Sequence, residues 1–193
     1  MARIPYVDPE ELPEEKRELL DTLSEQDGET EERAHSLEGG TLNVYRALGN
    51  NVELLEAFRE FGGAAWRGGE LTPHERETII LTVARETDSA YEFHQHVRVA
   101  LDEGLAPETI RAISANDHEA LDDETALLVD YVRAYVNGAV DDELHERLAA
   151  AYDEATIVAI GMLAGAYLGL ARQLDAYAIE TEVEFVGWQL ENL

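Results

Sequence analysis

Residues Thr72 to Leu105 read TPHERETIILTVARETDSAYEFHQHVRVALDEGL, and this stretch decides the fold. Thr72 as cap, Pro73 at the first helical position and Glu75 at the third form a capping-box pattern. A helix is therefore predicted to start there and run through Ile79, Ile80, Val83 and Ala84 to about Arg85. Ser89-Ala90-Tyr91-Glu92 repeats the same logic and opens a second helix that reaches Glu103. In that helix Ala90, Phe93, Val97, Ala100 and Leu101 fall on one face with a 3.6-residue period, and Gly104 is the expected C-terminal cap.

The pattern extends outward in both directions. Upstream, Pro9 to about Leu23 carries a modest stripe of Leu12, Leu19, Leu20 and Leu23 and is predicted to be a helix. Gln26 to Gly40 is polar, acidic and glycine-bearing, the signature of a loop. Helical patterns cover Leu42 to Leu48 and Val52 to about Trp66, the latter with Leu55, Phe58 and Phe61-Gly62 toward a core, and Gly68-Gly69 closes it. Downstream, Pro107 opens a short helix to about Ser114. Asp122 to Val136, Asp141 to Ala151 and Asp153 to about Gln173 each begin with an acid, which suits the positive end of the helix dipole. Gly161, Gly165 and Gly169 form a small-residue ridge in the last of these, and Ala155 to Ala171 reads as a core helix at the subunit centre. Ala176 to Leu193 is expected to stay helical and to dock Phe185, Val186, Trp188 and Leu190 onto the body or a neighbouring subunit. No strand signal appears, so the reading is all-α. One domain is expected over 1–193, with an acidic N-terminal part (1–40), a core (41–118) and C-terminal helices (119–193).

Composition removes several classes of function. The chain has 193 residues, 42 Asp+Glu against 14 Lys+Arg, a formal charge of -28 and no cysteine. Its hydrophobic fraction of 45% is normal and periodic, so the acid belongs to the surface of a folded protein. Thirteen of the basic residues are Arg and only Lys16 is a lysine, a pairing that suggests a halophilic cytoplasm where counterions screen self-repulsion. So negative a surface repels phosphate backbones and anionic lipid, and neither nucleic acid nor membrane is expected as a partner. The start, Met1-Ala2-Arg3-Ile4-Pro5-Tyr6, has no apolar signal core, which also fits a cytoplasmic protein.

The order Glu75-Arg76-Glu77-Thr78-Ile79-Ile80-Leu81-Thr82-Val83-Ala84, then Ser89-Ala90-Tyr91-Glu92-Phe93, His96, Ala100, Gly104-Leu105 and Pro107-Glu108-Thr109-Ile110 resembles one known signature. It is that of the carboxymuconolactone decarboxylase family, the group that also contains the alkylhydroperoxidase D-like proteins, and the likeness covers about Asn43 to Ile113. The resemblance implies a multi-helix alkylhydroperoxidase D-like bundle that assembles as a homotrimer or homohexamer. It also implies two alternative chemistries. The peroxidase branch uses Cys-x-x-Cys with a His four residues on and a Glu twelve residues before. Here Ser89 and Glu92 stand at the cysteine positions, while Glu77 and His96 match the proton relay. Serine forms no low-pKa thiolate, sulfenate or disulfide, so that peroxidase mechanism is excluded.

The decarboxylase branch needs neither thiol nor cofactor, and makes a small carboxylate or lactone the expected substrate. Loss of CO₂ leaves an enolate-like centre that a positioned acid must protonate, and histidine suits that task at neutral pH. Glu77, Glu92 and His96 are the candidate catalytic residues, with Tyr91, Arg85 and Arg98 as candidates for substrate binding. Glu92 and His96 stand one turn apart, so that Glu92 could orient the imidazole. Other readings stay open at each position. Glu92 equally suits the Ser89 capping box, His96 a core or interface role bonded to Glu77, and Tyr91 packing. His94 and His96 diverge by about 200° on a helix and cannot share an ion. Glu92 with His96 would need His74, Glu77 or His118 to complete a shell, and no metal is assigned.

Overall fold

Helix α3 (Pro73–Glu86) starts as its sequence dictates: the Thr72 hydroxyl accepts from Glu75 N–H, and the Glu75 carboxylate accepts from Thr72 N–H at 2.7 Å. The computed structural model describes residues 1–21 and 41–193. Leu23 and the loop expected over Gln26–Gly40 lie outside the described residues. The other helices are α1 (Asn43–Leu48), α2 (Val52–Arg67), α4 (Ala90–Asp102), α5 (Pro107–Ala115), α6 (Asp123–Val136), α7 (Asp142–Ala151) and α8 (Glu154–Tyr177). Among the described residues there is no strand, only an isolated antiparallel bridge between Asp21 and Thr41. The all-α reading therefore holds.

All eight residues from Glu77 to Ala84 are buried, so α3 is the central helix. One of its faces gives Leu81 and Ala84 to a cluster with Phe93, Val97 and Ala100 of α4 and Ile110 and Ile113 of α5. The other gives Ile79, Ile80 and Val83 to a cluster with Leu128 and Val132 of α6, Leu148 of α7 and Ile160 and Leu163 of α8. A helix enclosed on all sides must be apolar around its whole circumference, which is the pattern that Ile79 to Ala84 carries. The acids at the starts of α6, α7 and α8 are caps: Asp122, Asp141 and Asp153 accept from the N–H groups of Thr125, Leu144 and Thr156. Helix α4 ends in the Gly104 turn (φ +88), where Leu105 N–H reaches Ala100 O and Gly104 N–H reaches Leu101 O.

Four expectations are corrected. The segment from Pro9 is two short 3-10 stretches, Pro9–Glu11 and Glu14–Leu20, instead of one helix. Pro13 is the cause: it lacks an N–H and pushes Leu12 into extended backbone (ψ 152), so the helix cannot pass through it. Helix α8 is not at the centre. It buries Ile160, Leu163, Ala164 and Leu174 against its neighbours but leaves Val158 and Met162 exposed. By length and composition it could cross a membrane, yet it packs on α2, α3, α6 and α7.

Third, residues 179–193 are not helical, because α8 stops at Tyr177 with Ala178 in the left-handed region (φ 52). Arg3 seals that end, its N–H donating to Tyr177 O and its guanidinium to Ala176 O. Docking of the segment did occur as expected, with Val186 and Leu190 buried in the α3–α4–α5 cluster and Phe185 and Trp188 packed on it. Fourth, Phe61 does not face the core; it is exposed, and Leu55, Arg59 and Gly63 form the buried side of α2.

Candidate functional site

The first turns of α3 and the middle of α4 lie side by side because the chain reverses between Glu86 and Ala90. His74 Nε2 bonds to Glu103 O at 3.0 Å where α3 begins and α4 ends. Glu77, early in α3, thereby meets His96, in the middle of α4: Glu77 Oε2 lies 2.9 Å from His96 Nδ1. Glu77 is fully buried and the His96 side chain is 12% exposed. A carboxylate can only accept, so we assign the hydrogen to Nδ1, which leaves Nε2 of His96 as the free nitrogen. On its other side Glu77 Oε1 stands 3.6 Å from Arg76 Nε. The Arg76 guanidinium lies 4.1 Å from the centre of the Trp66 ring and 3.8 Å from the Glu103 carboxylate.

Aromatic rings enclose His96. Tyr167 of α8 meets it edge-on at 4.9 Å between centroids, and Trp66 of α2 is tilted against it at 5.8 Å. Burial, and then the charge of Glu77, push the Tyr167 phenol well above its ordinary pKa, so it remains a protonated donor. Trp66 and Tyr167 also line a cleft of about 40 Å³ with Tyr45, Phe58, Arg59 and Leu170. The cleft thus ends on the neighbours of His96 and not on His96 or Glu77 themselves.

Glu92 is 2% exposed, and neither carboxyl oxygen has a hydrogen-bond partner. Burial pushes its pKa well above the usual carboxylate range; the nearby Ser89 hydroxyl pulls it down by less, without reaching hydrogen-bond geometry. The expected capping box at Ser89 is therefore a correction: Ser89 occupies the cap position, but its side chain makes no cap bond. Nor does Glu92 orient the imidazole; Glu77 does.

The three substrate-binding candidates sit elsewhere. Tyr91 is buried, its hydroxyl donating to Glu182 Oε1 at 2.6 Å and accepting from Val44 N–H. It is a strut between α4, α1 and the segment after α8. Arg85 donates to Ser114 O and pairs with Asp88, with its guanidinium over Trp188. Arg98 is half-buried, and its charge acts on His94, whose Nδ1 accepts Val186 N–H at 3.0 Å. None of their contacts reaches the Glu77–His96 pair. No group of three His, Asp or Glu able to hold a metal occurs among the described residues.

Sequence reasoning missed Tyr167, Trp66 and Arg59. Tyr167 is hidden in an apolar run. Arg59 does carry a signal, since Leu55, Arg59 and Gly63 recur every four residues and so lie on one buried stripe.

The helical arrangement defines a class, the alkylhydroperoxidase D-like fold. A peroxidase-related protein from Ralstonia eutropha, described as an alkylhydroperoxidase AhpD core, superposes with a TM-score of 0.79 at 18% identity over 97% of this chain and 96% of its own. A peroxidase-related protein from Silicibacter sp. gives 0.67 at 19% identity, over 95% and 92% of the two chains. The debrominase Bmp8, in a cysteine-to-alanine form with 2,3,4-tribromopyrrole bound, gives 0.68 at 16% identity, over 86% and 92%. No curated protein matches this chain. Residues 53–132, a segment that contains Glu77, Glu92 and His96, match the model of the carboxymuconolactone decarboxylase family. The chain contains no cysteine.

Proposed function

We propose that the protein is a cofactor-independent carboxy-lyase or proton-transfer enzyme acting on a small carboxylate or lactone. The observation that carries this reading is the Glu77–His96 pair, with Nδ1 held at 2.9 Å and Nε2 free. In a decarboxylation the C–CO₂⁻ bond breaks, its electron pair passes into an adjacent carbonyl or lactone, and CO₂ leaves. A protonated His96 then delivers the Nε2 proton to the carbanionic carbon and regains one from water, so that the net change is uptake of one proton and loss of CO₂. Glu77 holds the ring while the proton is passed on, and Glu92, as a buried acid favoured in its neutral form, adds no repulsion against an anionic substrate.

A second reading, that of a non-catalytic oligomeric scaffold or binding protein, is favoured by the full burial of Glu77 and by the absence of His96 from the lining of the cleft. Assembly as a homotrimer or homohexamer is part of both readings, and the exposed apolar Val158 and Met162 support it. So is work in the cytoplasm of a salt-rich cell, supported by the charge of -28.

A turnover screen over lactones and β-keto acids in molar KCl separates the two. Turnover by the wild type that falls about a hundredfold or more in both His96→Ala and Glu77→Gln is expected. Wild type and variants behaving alike across the panel would remove the pair from the chemistry.

A further inference from the structure

Arg59 is the most buried cation described, 5% exposed on the inner stripe of α2. Only one of its terminal nitrogens is used: Nη1 donates to Leu19 O at 2.8 Å and to Asp21 O. The guanidinium stacks 4.5 Å from the centre of the Tyr45 ring. Nε and Nη2 have no hydrogen-bond partner among the described residues. Such groups cost stability when left unmade in a dry environment, more so when charged, so their persistence calls for an acceptor beyond the described residues. The two idle nitrogens are also a matched set. They form one edge of the guanidinium, with two parallel N–H bonds spaced for the two oxygens of a carboxylate.

Arg59 lines the cleft whose other walls are Tyr45, Phe58, Trp66 and Tyr167. We propose that this cleft is a binding site for a small organic monoanion, whose carboxylate takes the Nε–Nη2 edge of Arg59 and whose apolar body lies against Trp66 and Tyr167. Size and charge both select this class. A cleft of about 40 Å³ holds roughly three water-sized groups, enough for a carboxylate head, with the rest of the molecule extending along the rings. The site offers one cation, already eased by the nearby charge of Asp21, so a dianion such as phosphate would bring a charge that nothing neutralises. The aromatic walls shared with His96 join the two sites, which makes Arg59 a substrate-positioning residue for the chemistry proposed above. Only this joining rests on that reading; the anion site stands without it.

Calorimetric titration of the full chain tests the site, with propionate as probe, its neutral isostere propionamide as control, and inorganic phosphate. Propionate is expected to bind while propionamide and phosphate do not, and Arg59→Met is expected to weaken propionate by about tenfold or more. Arg59 also ties down Leu19 and Asp21, so a second variant leaves it intact: Gly62→Leu, at a cleft-lining position with open space beside it, should block the cleft to the same extent without unfolding α2. His96→Ala should keep propionate binding. Failure of wild type to bind propionate, equal binding of propionamide, preferred binding of phosphate, or full affinity in Gly62→Leu would each overturn the proposal. Loss of turnover in His96→Ala with propionate binding retained supports both readings. Absence of turnover in every protein alongside Arg59-dependent binding would sink the catalytic reading alone.

Discussion

At Glu92 a carboxyl group sits in the core with no partner, and its pKa is displaced upward. As pH rises past the ordinary carboxylate value of 4.5, the unfolded chain releases this proton while the folded chain retains it. The folded state then binds more protons than the unfolded one, so this group's contribution to stability falls with increasing pH until the folded-state pKa is passed. Glu92→Gln, isosteric and uncharged, should match the wild type near pH 4 and be more stable at neutral pH by on the order of 1–3 kcal/mol, read from denaturant midpoints across pH. A constant difference between the two proteins would contradict the assignment. Tyr91 makes the opposite case, a hydroxyl fully used in structure. Tyr91→Phe leaves Val44 N–H and Glu182 without that partner, and should cost about 1–2 kcal/mol while leaving the binding of propionate unchanged. A loss of affinity with unaltered stability would restore Tyr91 to the ligand site. Both roles turn on atoms that spacing cannot locate. One turn between Glu92 and His96 made them neighbours on a helix surface, but pairing with Glu77 depended on how α3 lies against α4.

Among the elements, the helices that announce their own ends were legible. Thr72-Pro73-x-Glu75, the aspartates before α6, α7 and α8, and Gly104 are local signals that act through groups a few residues apart. Gly104→Ala should destabilise the protein by about 1–2 kcal/mol, measured by thermal or chemical unfolding, because φ +88 is open to glycine and strained for a residue with a Cβ. No loss would mean that the turn relaxes and that the cap bonds to Ala100 and Leu101 are dispensable. The end of α8 was illegible for the converse reason. Its left-handed residue is Ala178, which advertises nothing in sequence and is held there by contacts from Arg3, far away along the chain. The stripe of leucines near residues 12–20 likewise looked helical until Pro13 intervened between its members. Arg59 was overlooked because a single arginine among apolar residues is usually a stem over a surface; its burial is set by α1 and the N-terminal segment together.

For the molecule as a whole, a charge of -28 on 193 residues implies substantial self-repulsion in dilute buffer. The described ion pairs involve only a small part of the 42 acids, so most of that repulsion is left to counterions. Molar KCl should therefore raise the midpoint of thermal unfolding relative to dilute buffer, and a flat or declining midpoint would sink the view that the composition is an adaptation to salt. Composition says little about catalysis, since the buried polar groups at Glu77, Glu92 and Arg59, with the partly buried His96, are so few against so many surface acids.

The way residues 185–190 close over Phe93 also has a bearing on biosynthesis. Val186 and Leu190 complete the cluster that α3, α4 and α5 begin, and Val186 N–H supplies the bond to the buried imidazole of His94. While the ribosome is still making α6 to α8, the flank of α4 that carries Phe93 and His94 has nothing over it, and the nascent chain presents an aromatic, partly polar surface to the cell. Only when residues 185–190 emerge can the surface be sealed. Maturation of the fold thus waits for residues 185–190 to be made, and chaperone engagement is expected in the interval before that.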